Sequence, residues 1–144
     1  MTQVIPDPTV ALMEVLKQDS RVADRTEGRV FGQELPANQA SHMPRKCIVV
    51  TDTAGGIDPW GNSYVRAAGS RFDVRCYGET PYEAMRVQRA AAEALKHHRP
   101  GNYADVLLWS ITPLTTPSVL RDPDASWPFV LRFWNAYYRE VALD

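Results

Sequence analysis

The chain lacks most of the features that announce chemistry. It has no charge excess: 16 Lys and Arg stand against 17 Asp and Glu, for a net charge of −1. That balance is missing the basic footprint with which a protein grips nucleic-acid phosphates. No stretch approaches the ~20 apolar residues of a membrane span. The opening "MTQVIPDPTV" has neither the basic start nor the apolar centre of a secretory signal. A soluble protein made and kept in the cytosol is the expectation. Cysteine is scarce too. Cys47 and Cys76 have no nearby His partners, so they do not make a zinc site. Each sits in an apolar run and reads as a buried, reduced thiol.

Catalytic and metal-binding motifs are equally thin. His97 and His98 are adjacent, so on a helix they point about 100° apart and cannot chelate one metal together. His42 stands by itself in a loop, and no HExxH or GxSxG spacing occurs. "TAGG" followed by "DPWG" lacks the Gly-Lys-Ser/Thr ending of a phosphate loop and reads as a turn. Asp52, Asp58, Asp122 and Asp124 lie beside Pro or Thr, where turn and cap roles account for them. The expectation is a non-enzyme with no catalytic residue, no metal ligand and no cofactor.

What is present is the patterning of an ordinary globular chain of 144 residues, read as one domain over residues 1–144. Asp7 and Pro8 are a helix cap and first turn, and Leu12, Met13, Val15 and Leu16 cluster on one side of a helix over 8–18. "DSRVADRTEG" reads as a loop with room for one helical turn. "RVFGQ", 29–33, is a short strand. The segment 34–44 is a long loop with two prolines. "KCIVVTDT", 46–53, has the continuous apolar run of a central strand. Residues 63–78 read as one long strand or a bent one, with Phe72, Val74 and Cys76 facing one way and Arg71, Asp73, Arg75 and Tyr77 the other.

Thr80, Pro81 and Glu83 then supply the cap, first position and third position of a helix reaching about residue 98. Its stripe of Ala84, Val87, Ala91, Ala94 and Leu95 is small enough to lie close to a sheet. Residues 103–114 and 129–143 are strands, joined by the Pro-interrupted connection 115–128. The coarse order is α-β-β-β-α-β-β. The fold class expected is α/β of the α+β type, a mainly antiparallel sheet of about four to five strands flanked by an N-terminal helix and the longer Ala-rich helix.

Aromatic placement is the informative remainder. Trp60 and Trp127 fall in loops, where they either fold back on the core or meet a partner. The last strand carries large apolar groups on both faces, which calls for a helix or another subunit over the second face. Phe31, His42, Trp60, Trp127, Arg132, Trp134 and Tyr138 are the candidate subunit or partner interface.

One assembly of features resembles a known family. "RVFGQELP" contributes Val30, Phe31, Leu35 and Pro36. "RFDVRCYGETPYEAMRVQRAAAEAL" contributes Val74, Cys76, Tyr77, Gly78, Thr80, Glu83, Ala84, Ala94 and Leu95. Together they resemble the tail-terminator, or tail-completion, proteins of long-tailed bacteriophages. The likeness covers most of residues 8–98 and, more loosely, 129–142. It implies a hexameric ring of identical subunits on the last ring of the tail tube. That ring ends tube polymerisation and meets the head-closure or connector protein. The partners implied are the chain itself, the major tail tube protein and the connector. Genomic DNA passes through without specific binding, and no membrane is involved. The location implied is the virion tail or neck, with the host cytoplasm during assembly. The loops 54–65 and 113–128 match no family pattern. Two other readings stay open: another neck component such as a head-closure or adaptor protein, and a small cytosolic enzyme or ligand-binding domain built round a polar pocket.

Overall fold

The structure is a computed structural model, and it describes residues 7–53 and 67–140, with the side chains of 67–69, 139 and 140 left aside. The N-terminal segment up to residue 6, the turn region 54–62 with Trp60, and residues 63–66 lie outside the described residues.

Helix α1 (Pro8–Gln18) begins where the sequence places it. The Asp7 carboxylate accepts hydrogen bonds from the backbone N–H of Thr9 and Val10, at 3.0 and 3.4 Å. It buries Ala11, Leu12, Val15 and Leu16. The next segment is a full helix, α2 (Ser20–Thr26), rather than a loop with one turn. Asp19 caps it by accepting from the N–H of Arg21 and Val22. The Arg21 guanidinium holds the Asp19 carboxylate from the side, at 2.9 Å, and pulls its pKa below the usual carboxylate range. Val22 and Thr26, one turn apart, turn inward, and the Thr26 hydroxyl donates to the Val22 carbonyl. Two inward positions were too few for a sequence period to show.

The strands are β1 (Val30–Gly32), β2 (Cys47–Asp52), β3 (Ala67–Tyr77), β4 (Gly101–Tyr103), β5 (Val106–Pro113), β6 (Ser118–Arg121) and β7 (Pro128–Glu140). The sheet runs β1-β2-β3-β7-β5-β4, and β6 also pairs with β7. β1 is parallel to β2, and every other described pairing is antiparallel. The α+β architecture is as expected, but the described strands number seven. Two of them were hidden in longer segments. Residues 103–114 are not one strand: β4 and β5 form a hairpin whose two-residue turn, Ala104 and Asp105, has φ of 50° and 63°. That backbone suits the twist of a tight hairpin but normally advertises itself as Asn-Gly. β6 lies inside the supposed connection 115–128.

β7 is the sheet's central beam. β3 pairs along most of its length on one side. On the other side β6 takes residues 128–131 and β5 takes 134–140. Between them Thr115 fills the gap: its carbonyl accepts from Arg132 Nε and its hydroxyl from the Phe133 N–H.

Helix α4 (Pro81–Lys96) follows β3 after three residues. Thr80 caps it, accepting from the Glu83 N–H at 3.2 Å, and Glu83 reaches back to the N–H of Glu79. The return bond lands one residue before the cap, a variation on the expected capping box. The predicted stripe is buried, and so are Gln88, Ala90 and Ala92. The buried face is wider than one stripe because α4 is packed on both sides, with β3, β5 and β7 below and α1 and α2 beside it. Its alanines permit that close approach. The main core therefore lies between the helices and one sheet face, around Trp134, Phe72, Leu12, Leu16, Ile48 and Leu95.

Candidate functional site: the open sheet face and its edges

The helices cover one face of the sheet. On that face β7 places Trp134 and Ala136 in the core, with Tyr138 packed against it. The opposite face has a second, smaller cluster: Cys47, Val49, Tyr77 and Phe129. Leu35 and Met43, at the two ends of the 34–44 segment, close over it together with Phe31, Trp127 and Leu131. The segment 34–44 contains the short helix α3 (Ala37–Ala40), steadied by a hydrogen bond from Arg45 to Gln39. Of the two covers expected for the second face of β7, the chain supplies part of one itself, through a loop and Trp127 rather than a helix.

Beyond that cluster the same face becomes charged. Arg71, Asp73 and Arg75 alternate down β3, opposite Asn135, Phe133 and Leu131 of β7. The Arg71 guanidinium lies over the Phe133 ring at 4.3 Å. Asp73 is only 7% exposed, and its Arg75 partner sits at 3.6 Å. Burial raises the Asp73 pKa, with Arg75 and the Thr51 hydroxyl opposing the shift. Among the described residues Asp73 Oδ1, Arg71 Nε and Arg75 Nε are buried without a hydrogen-bond partner. A satisfied core would not leave three such atoms on one patch.

The edges matter as much as the face. β1 pairs only with β2, and β6 only with β7, among the described residues. β6 is exposed along its whole length, with Val119 at 50% and Leu120 at 41%. Leu114, a few residues before β6, is also exposed, and so is Trp109 on β5. The β6–β7 turn is tightly made: Asp122 donates its N–H to the Trp127 carbonyl, and its carboxylate accepts from the N–H of Asp124 and Ala125.

The seven residues proposed for an interface are dispersed. Phe31 and Trp127 meet on the second cluster, half-buried. Arg132 stacks over Trp134 at 4.9 Å. Trp134 itself is 1% exposed and belongs to the main core, so its assignment to an interface is corrected: β7 turns that side chain toward α4 and not toward solvent. Tyr138 is half-buried and accepts a hydrogen bond from Ser70. His42 is exposed, its N–H bound to the Gln39 carbonyl, and it stands next in the chain to Met43 of the second cluster. Trp60 lies outside the described residues. Residues passed over in the sequence are β6 and the Arg71–Asp73–Arg75 row. The row was visible as the polar side of an alternation, and "SVLR" between prolines was the signal for β6.

Among the described residues no three His, Cys, Asp or Glu side chains gather as a metal site, and no helix is long and apolar enough to cross a membrane. Cys47 and Cys76 are both buried; loss of water raises the Cys47 pKa to about 11 and pushes Cys76 higher still, so neither thiol is activated.

No family model and no curated protein sequence matches the chain. Solved structures do. A protein of the virion of a native gene transfer agent particle superimposes with a TM-score of 0.68 at 13% identity, covering 90% of this chain and 92% of that one. Bacteriophage SPP1 gp17 superimposes with a TM-score of 0.52 at 14% identity, covering 92% and 89%. The chain thus has a fold found in the virion of a gene transfer agent and in bacteriophage SPP1 gp17, in line with the tail-terminator resemblance carried by residues 8–98.

Proposed function

We propose that this chain is a virion structural protein of the tail-terminator kind, acting by binding alone. It forms a hexameric ring on the end of the tail tube, stops tube growth and presents the surface that joins the head connector. The observation that carries the reading is the fold shared, over about nine-tenths of the chain, with a gene transfer agent virion protein and with SPP1 gp17.

The sheet edges support the ring. Among the described residues β1 and β6 each pair with one strand alone, on opposite sides of one sheet. Two different edges that pair between copies make a head-to-tail contact, and such contacts close into rings when the rotation permits. An exposed apolar strand edge is otherwise a liability that chains avoid. The orphaned polar atoms around Asp73 give the open face a second reason to seek a partner. A net charge of −1 suits a ring through which DNA slides.

The test is native mass spectrometry and electron microscopy of the pure protein, alone and with purified tail tubes. Hexameric rings, or a monomer that forms rings on tube ends, are expected. A strict monomer that never binds tubes would sink the reading, and binding to connectors but not tubes would move it to head closure.

A further inference from the structure

Four arginines gather on the helical side of the molecule. Arg21 and Arg25 of α2 and Arg86 and Arg89 of α4 line a groove of about 270 Å³, with Ala90 and Glu93 completing the lining. Arg21 is engaged with Asp19 and lies 3.9 Å from Glu93. Arg25, Arg86 and Arg89 have no carboxylate within ion-pair reach among the described residues. Arg86 leans on the exposed Tyr82 ring instead. Four guanidinium groups round a single lining carboxylate, Glu93, leave the groove with excess positive charge, and their planar forks match further carboxylates two bonds at a time. In a chain of net charge −1 this local excess stands out.

We propose that the groove receives the acidic β6–β7 turn of a second copy of this chain. The proposal rests on the ring reading above. Charge is complementary: the turn carries Asp122 and Asp124, with Glu79 close by, since the Gly78 N–H bonds the Pro128 carbonyl. Arg121, which precedes Asp122 in the chain, is tied to the Ser126 carbonyl. Position is complementary as well. The register runs Val30 beside Ile48, Cys47 beside Tyr77, Tyr77 beside Phe129 and Phe129 beside Leu120. So the start of β1 and the end of β6 lie at one end of the sheet, on opposite edges. α2 ends at Thr26, just before β1, and the acidic turn follows β6 directly. When β6 of one copy lies along β1 of the next, its turn arrives beside the neighbour's α2. The groove is thus continuous with the edge contact, and it sets which edge meets which.

A nucleic-acid backbone is the competing occupant, and the same variants separate the two. The full chain is compared with Arg86→Glu/Arg89→Glu, with Asp124→Arg, and with all three changes combined. Arg86→Gln/Arg89→Gln is the milder form, and circular dichroism checks folding throughout. The readout is the protein concentration at which rings half-dissociate, by native mass spectrometry. Each reversal should raise it about tenfold, and the combination should recover most of the loss, a recovery that damage to folding cannot produce. Rings that form equally well in Arg86→Glu/Arg89→Glu overturn the groove contact and leave the ring reading intact. Salt-sensitive binding of duplex DNA that Arg86→Glu/Arg89→Glu abolishes, with ring formation unchanged, overturns it in favour of phosphate. A wild-type chain that makes no ring, with or without tubes, removes both readings together.

Discussion

Replacing Gly78 by alanine should damage this protein more than the same change at Gly28, Gly32 or Gly101. Gly78 closes β3, three residues before α4 begins. A Cβ there would stand 2.5 Å from the Ala84 nitrogen, 2.9 Å from the Glu83 carbonyl carbon and 3.0 Å from the Ala84 Cα, where ordinary contact starts at 3.4 Å. The first turn of α4 must therefore retreat by about 0.9 Å. All three obstructing atoms are backbone, so no side-chain rotation relieves them. The helix cannot retreat freely either, because α1 and α2 hold it against the sheet. Overpacking of this kind costs roughly 3 kcal/mol. Loss of glycine's freedom in the unfolded chain returns about 0.7 kcal/mol. The net is about 2 kcal/mol, or a fall of about 6 °C in melting temperature for a chain of this size. Urea denaturation and thermal circular dichroism at one protein concentration measure it. Gly28→Ala is the control. Its φ of +80° is unfavourable for alanine, but nothing lies within 4 Å, so it should lose only about 1 kcal/mol. Equal melting of wild type and Gly78→Ala, or a larger loss at Gly28, would refute the account of how closely strand and helix approach.

Asp73 offers a pH test. Its folded-state pKa is raised by burial, so ionisation opposes folding. The contribution is favourable below the unfolded carboxyl value of about 3.9 and is lost as pH rises through the folded value. Asp73→Asn should thus gain about 1 kcal/mol over wild type at pH 7, with the gain fading near pH 3, read by urea melts at both pH values. A less stable Asp73→Asn at pH 7 would mean that Arg75 and Thr51 outweigh burial. Trp134→Ala should lose about 4 kcal/mol in the same melts and strip Arg132 of its stacking partner. Val119→Lys should leave monomer melting within about 0.5 kcal/mol, because Val119 is already half exposed, while lowering the ring fraction in native mass spectrometry. Unimpaired rings in that variant would show that the β6 edge is not an assembly contact.

The local elements were legible because their causes are local. Asp7 and Pro8 begin α1, Thr80 and Pro81 begin α4, and the alanines of α4 mark its buried side. The apolar run at residues 47–50 marks a covered strand. The interface candidates were less legible. Trp134 looked as available as Trp127, since an aromatic on a strand does not say which face the helices will take. α2 was hidden because only Val22 and Thr26 turn inward, and β6 because its four residues sit between prolines.

What the sequence determined by itself was therefore the set of helices and long strands, their caps and their apolar sides, since these depend on residues one to four positions apart. Only the tertiary structure decided the rest. It bent 101–113 into a hairpin through the left-handed pair Ala104 and Asp105. It gave β7 two different neighbours on one side and buried one of its faces under α4. It brought Arg21 and Arg25 beside Arg86 and Arg89 across some sixty residues of chain. Each of these depends on pairing between distant segments, and the energy that selects a pairing lies in the partner, where no short stretch of sequence records it.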